Sequence, residues 1–221
     1  MLRSIDEPVG RGLIVDNQGI GQGRDVAALF GGPEWTVFTP PFGSMGLPGS
    51  INFGIAQTYD APWWLWASDD LVFGPGDLGQ IARMMDDAGD NPVMVTYRFA
   101  FLALNRAVVE IIGLFDEWSF WPIYFDDTDL ARRAYLAGIP IHHDTWGITE
   151  GEDNIPHSTT VRTNEVLSLA NNRSWIENEA AYRAKWGGLP GHETYTTPWN
   201  AGGPLWATRP SMEGRKRREW P

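Results

Sequence analysis

The run APWWLWA, residues 61–67, is apolar without alternation. Successive side chains of a strand point to opposite faces, so such a run suits a strand covered on both sides. A chain built around it needs helical layers above and below. The spacing supplies them. Residues 78–85 have helical periodicity with Asp77 as a cap, and 106–112 are preceded by Asn105 as cap and followed by Gly113 as stop. A third helix starts at Asp126 or Asp127 and closes at Gly138. A fourth, over 173–186, sets Trp175, Tyr182 and Trp186 on roughly one face, with Glu179 interrupting the stripe. Shorter helices are expected at 24–29 and 51–57. Further strands are expected at 12–15, 35–39, 93–96 and 99–104, and Pro140 marks 139–141 as an edge strand. Alternation of short apolar runs with helices predicts a mixed α/β domain with a mostly parallel central sheet flanked by helices.

Charge narrows the function. Seventeen basic against 28 acidic side chains give a formal net charge of -11, which argues against nucleic acid as a partner. The absence of cysteine removes disulfides, thiolate chemistry and cysteine-ligated zinc, and fits a reducing compartment. The N-terminal MLRSIDEPVGRG lacks the apolar core of a signal peptide, and no run is long enough for a transmembrane segment, so a cytoplasmic location is expected. Twelve tryptophans serve a core or a sugar contact equally well in kind. The basic run at 215–218 reads as a solvated tail.

Two acidic centres stand out. Ligands of parallel sheets gather beyond the strand C-termini, and both Asp16 and the Ser68-Asp69-Asp70 turn occupy such positions. Carboxylates at a strand exit can hold Mg²⁺ or Mn²⁺ by oxygen ligation, or simply form an acidic turn. The second centre is Asp126-Asp127-x-Asp129. Carboxylates at a helix start can cap its free amides, but three like charges within four residues need a cation, an arginine or proton uptake to relieve them. Positions 126 and 129 share a helical face and 127 points elsewhere, which suggests one structural carboxylate and one facing a substrate. Of the four histidines, none forms a His-x-x-x-His pattern; His157, taken with Asp70, is the preferred candidate to complete a metal shell. The dinucleotide fingerprint, the Walker loop and the serine elbow are missing.

In order and spacing, LIVDNQG at 13–19, SINFGIA at 50–56, WASDDLVF at 66–73 and the long block FLALNRAVVEIIGLFDEWSFWPIYFDDTDLARRAYLAGI at 101–139 resemble the family 2 glycosyltransferases. The resemblance covers roughly residues 1–160 and implies the GT-A nucleotide-diphospho-sugar transferase fold, here without the family's usual first strand. Residues 161–221 would add a C-terminal helix and an irregular tail packed on that core. It implies an inverting transfer of sugar from a nucleotide-diphosphate donor to the hydroxyl of a glycan or other acceptor, dependent on Mn²⁺ or Mg²⁺. By position, Asp16 resembles the reader of the nucleotide base, Asn52 and Gly54 shape the donor pocket, and Asp69 and Asp70 match the end of the metal-binding Asp-x-Asp motif. Ser68 stands where that motif begins. Asp127 resembles the catalytic base, Asp126 its neighbour, and His157 the late histidine near metal or diphosphate. Trp118, Trp121 or Trp146 could stack on a sugar near the cleft. The alternative reading is a noncatalytic glycan- or nucleotide-binding module, motivated by Ser68 and the missing strand.

Overall fold

The computed structural model of the chain describes residues 4–17, 22–30, 35–41, 43–69, 71–143, 149–150 and 165–207. In chain order the elements are β1 (Gly12–Val15), α1 (Gln22–Phe30), β2 (Trp35–Phe38), α2 (Gly46–Gln57), β3 (Trp63–Ala67), β4 (Leu71–Val72), α3 (Asp77–Ala88), β5 (Met94–Tyr97) and β6 (Phe101–Asn105). They are followed by α4 (Arg106–Ile112), α5 (Asp126–Ala137), β7 (Ile141–His142), β8 (Thr149–Glu150), α6 (Glu165–Trp186) and a short 3₁₀ turn at Pro198–Asn200.

The expected mostly parallel GT-A-type sheet is overturned by the strand pairing. Among the described residues the strands fall into separate sheets: β1 and β2 form a parallel pair, β4 and β8 a short antiparallel one, and four strands form a mixed sheet in the order β3-β6-β5-β7. Within it β3 and β5 both run antiparallel to β6, and only β5 and β7 run parallel. The reason lies in Arg98, Phe99 and Ala100. A parallel pair needs a crossover of about a dozen residues or more, and these three residues can close only a hairpin. Arg98 and Phe99 take left-handed backbone angles, φ 50° and 55°. Thr96 braces the turn: its Oγ1 donates to the Phe101 carbonyl at 2.6 Å and accepts from the Phe99 amide at 3.0 Å.

Two-sided burial of the four-stranded sheet is realised. Trp64, Trp66, Leu102 and Leu104 lie on the side of Ile51 and Ile55 from α2, Val108 and Ile112 from α4, and Leu130 and Ala134 from α5. Trp63, Leu65, Phe101 and Ala103 lie on the other side with Ile81 and Met85 of α3. Full burial of a Leu or Phe side chain is worth about 1.5–3 kcal/mol, so this sandwich holds the central layer. Asn105 caps α4 by accepting from the Val108 amide at 3.3 Å, and Gly113 and Gly138 end α4 and α5 at φ 75° and 69°.

Three helices depart from their expected form. α2 begins at Gly46 rather than 51, because Pro48 is tolerated in a first turn and Gly46 accepts φ 71°. Asp77 opens α3 without capping it; its carboxylate accepts from the Gly74 amide at 2.8 Å, while Gly76 is the cap position. α6 begins at Glu165, ahead of 173, and buries Tyr182 and Trp186 while leaving Trp175 49 % exposed. Among the described residues no helix is long and apolar enough to cross a membrane.

Candidate functional site

α5 ends at Gly138, and Ile139 and Pro140 lead directly into β7, which pairs with the start of β5. Twelve residues of helix span about 18 Å. With Leu130 and Ala134 packed on the sheet, α5 therefore runs back across it and turns its first residues toward the end where β3, β5 and β7 finish. Asp69 stands at that same end, exposed just beyond β3. Its neighbour Ser68 donates its amide to the Ala100 carbonyl of the hairpin at 2.9 Å.

The start of α5 is built by two consecutive left-handed residues without a glycine, Tyr124 at φ 80° and Phe125 at φ 65°. Such conformations cost about 1–3 kcal/mol each and persist where the surroundings over-determine them. Here α6 does so. Asn178 donates to the carbonyls of Ile123 and Tyr124 at 2.8 and 3.2 Å, and the Tyr124 hydroxyl donates to Asn171 Oδ1 at 2.6 Å. Phe125 joins Phe120, Tyr182 and Trp186 in a buried cluster.

The turn gives three neighbouring carboxylates three environments. Asp126 is 2 % exposed; burial first, and then the charges of Asp127 and Asp129, push its pKa from 3.8 to about 7. Asp127 is half-buried, and its Oδ1 accepts from the Thr128 amide at 2.6 Å and hydroxyl at 3.1 Å. Asp129 is fully buried and fully paired. Its Oδ2 meets Arg133 at 2.9 Å, and its Oδ1 takes Trp186 Nε1 and Lys185 Nζ at 2.8 Å each.

Lys185 also reaches Asp116 Oδ2 at 2.8 Å, tying α6 to the turn after α4. Burial pushes the Asp116 carboxyl up, but the Lys185 ammonium and the bonds from Ser119 outweigh it, so the net shift is downward. Arg133 donates to the carbonyls of Ile112 and Leu114, which closes the end of α4 onto α5. The like charges of the DDxD cluster are thus relieved in two ways: a pair of cations at Asp129 and a proton at Asp126.

Of the residues expected around the donor, Asn52 and Gly54 lie on α2, Asp16 follows β1 and Asp69 lies just beyond β3. Asn52 uses both ends of its amide on Phe115, donating to the carbonyl at 2.9 Å and accepting from its N–H at 3.0 Å, and also touches Glu117 Oε2 at 3.3 Å. That is a structural clamp on the turn after α4. Gly54 faces β1, where an added Cβ would rest 3.7 Å from Leu13. Asp16 is buried at the end of β1, its amide bonded to the Phe38 carbonyl at 2.9 Å. Next to it, Asn17 donates to Ser50 Oγ at 2.7 Å and accepts from the Met45 amide at 3.0 Å. The start of α2 in turn meets the α5 turn, the Leu47 amide donating to the Pro122 carbonyl at 2.7 Å. One helix N-terminus therefore joins the exit of β1 to the turn that carries Asp126 and Asp127.

No protein-family model matches the chain, and no curated protein matches it at a significant level.

The expected metal ligands Asp70 and His157 lie outside the described residues, as do Trp146 and the basic run at 215–218. Among the described residues there is no group of three side chains able to hold a metal ion; Asp69 is the carboxylate described at the strand exit. Trp118 is 48 % exposed. The sequence reading missed Asp116, Arg133, Lys185 and Asn178. Asp116 stood inside the Gly-Leu-Phe-Asp-Glu turn and was available to it, whereas Lys185 and Asn178 lie in a polar helix with nothing local to mark them as buried.

Proposed function

We propose that the start of α5 is the proton-accepting centre of a group transfer to a hydroxyl, and that the chain is an inverting glycosyltransferase using a nucleotide-diphosphate sugar. The observation that carries this is the unlike fate of two adjacent carboxylates. A left-handed turn buries Asp126, which holds a proton up to about pH 7, and leaves Asp127 half-exposed on the other side of the helix start. Sheet topology contributes nothing to the reading. The resemblance of the block at 101–139 to family 2 glycosyltransferases supports it independently of the fold.

In this reaction the acceptor oxygen attacks the anomeric carbon as its proton passes to Asp127, and the bond to the diphosphate breaks with its electron pair leaving on the phosphate oxygen. Positioned proton transfer of this kind is worth about 10²–10⁴ in rate. Asp127 bonds Thr128 through Oδ1, and among the described residues Oδ2 makes no hydrogen bond, so Oδ2 is the oxygen assigned to the acceptor. Mn²⁺ or Mg²⁺ enters the proposal through Asp70 and His157, with Asp69 next to Asp70 in sequence, and when bound would neutralise charge on the departing diphosphate.

The test is a screen of uridine, guanosine and thymidine diphosphate sugars for binding, with and without Mn²⁺, followed by turnover with Asp127→Asn. The variant is expected to keep donor affinity within about twofold and to lose about 10²–10⁴ in turnover. Equal loss of affinity and turnover would assign Asp127 to the donor site, and no donor binding at all would remove the reading.

A further inference from the structure

On the far side of the Asp116–Lys185–Asp129 network, the structure holds a cavity of about 520 Å³ between α2, the turn after α4 and the segment carrying Trp206. That volume is within the range of small-molecule sites, roughly 300–1,000 Å³. None of the residues assigned above to proton transfer or metal binding lines it.

Three features define what it would take. Trp118 and Trp206 both border the cavity and are 48 % and 49 % exposed, so each has accessible indole surface beside it, and among the described tryptophans Trp175 alone is comparably open. Trp206 is seated directly on Gly113, where a Cβ would fall 2.4 Å from Trp206 Cβ; at φ 75°, that position suits glycine twice over. Glu117 adds a carboxylate against α2, its Oε2 3.3 Å from Asn52 Nδ2 and 3.2 Å from where a Cβ on Gly49 would be. Finally, the lining includes both signs of charge, Asp116 and Glu117 with Arg133 and Lys185, of which Lys185 is paired to Asp116 at 2.8 Å and Arg133 to Asp129 at 2.9 Å.

Flat aromatic faces beside fixed hydrogen-bonding groups match a sugar ring, which offers a face of C–H bonds to the indole and hydroxyls at its rim. Charge discriminates further. Asp116, Arg133 and Lys185 are buried and neutralised in ion pairs with one another and with Asp129, so the partly exposed charge of the lining is Glu117, and an anion would be repelled by it. A neutral polyol meets no such penalty.

We propose that this cavity is a carbohydrate subsite that takes one neutral sugar ring, in contact with both Trp118 and Trp206 and hydrogen-bonded to Glu117. The subsite stands on its own geometry; its assignment as the place of the acceptor glycan rests on the glycosyl transfer proposed above.

Saturation-transfer NMR on the full chain, without nucleotide or metal, tests it with maltose, cellobiose, lactose, chitobiose and methyl mannoside, and with choline as the cationic control. Binding of at least one sugar is expected, with the strongest transfer into the C–H protons of a single ring. Trp118→Ala, Trp206→Ala and Glu117→Gln should each weaken it about three- to tenfold while the melting temperature of Trp118→Ala stays within a few degrees of the parent. No binding of any sugar by the folded protein overturns the proposal. Sugar binding indifferent to all three substitutions overturns the location, and choline binding in place of sugar overturns the ligand class. Because no donor is present, failure of glycosyl transfer would leave these outcomes unchanged.

Discussion

Asp126 makes protonation part of the folded state. Its ordinary pKa of 3.8 is raised to about 7, by burial first and by Asp127 and Asp129 after it, while backbone amides act in the opposite direction. Between about pH 4 and 7 the folded chain therefore binds a proton that the unfolded chain has released. Stability from this group is full below about pH 4, falls as pH rises through that window and levels off above about 7. Asp126→Asn keeps the side-chain shape and cannot ionise, so it should flatten this slope. At pH 8 it should be more stable than the parent, with a ceiling of about 4 kcal/mol from roughly three pH units at about 1.36 kcal/mol each. Urea unfolding at pH 5 and pH 8 measures both; parallel pH profiles for the two proteins would show that Asp126 is ionised in the native state. The partition between Asp126 and Asp127 was legible from spacing, because helical geometry sets 126 and 129 on one face. The left-handed backbone at Tyr124 and Phe125 was not: nothing in an aromatic pair announces a conformation usually left to glycine or asparagine.

At the scale of elements, α6 shows how a polar helix can be a core element. Its buried face is Ser174, Asn178, Tyr182, Lys185 and Trp186, and three of these five are polar or charged by side-chain chemistry alone. Val166, Leu169 and Ile176 are left 59–68 % exposed, and the aromatic stripe expected from sequence is buried at Tyr182 and Trp186 but open at Trp175. The helix is docked instead by directed bonds, among them Tyr182 to Glu193 Oε1 at 2.6 Å, an acceptor that together with burial raises the Tyr182 hydroxyl pKa. Asn178 carries the most consequence, since one amide nitrogen serves both carbonyls of the strained turn, with the Ser174 hydroxyl 3.4 Å from the Ile123 carbonyl as a weaker second donor. Asn178→Ala strips the Tyr124 carbonyl of this donor and leaves the Ile123 carbonyl to Ser174, at a cost of about 1–3 kcal/mol. The expected signature is a fall in stability of that size together with a change in turnover larger than the change in donor affinity, since the turn positions Asp127. Stability loss with unchanged turnover would confine Asn178 to holding the fold. By contrast, the Asn105 cap and the Gly113 and Gly138 stops were readable, because capping is a local matter of side chain against adjacent backbone.

Across the whole molecule, layer content was legible and strand direction was not. WWLWA announces packing on both faces, and β3 does touch both core clusters, although as the edge strand of the described sheet it keeps all five residues partly exposed. Direction depends on connection length, and the three residues between β5 and β6 carried that information without a Gly or Asn to draw attention to the turn. The consequence is a molecule in two unequal parts. Among the described residues β1 and β2 pair with each other alone, at four positions from Gly12–Trp35 to Val15–Phe38, while the larger sheet is packed on both faces. Amide exchange at residues 13–15 should therefore be faster than at 94–96 and 102–104 by at least about tenfold, through local opening that leaves the larger sheet intact; equal protection would show a single cooperative unit.

Because Asn17 is moored to the start of α2 and Arg11 to Asp60, the smaller sheet is tethered by side chains around that helix rather than woven into its neighbour. Strain reaching that helix from either direction can be absorbed by tilting two strands, so Asp16 sits on the compliant bank of the molecule and Asp126 on the stiff one.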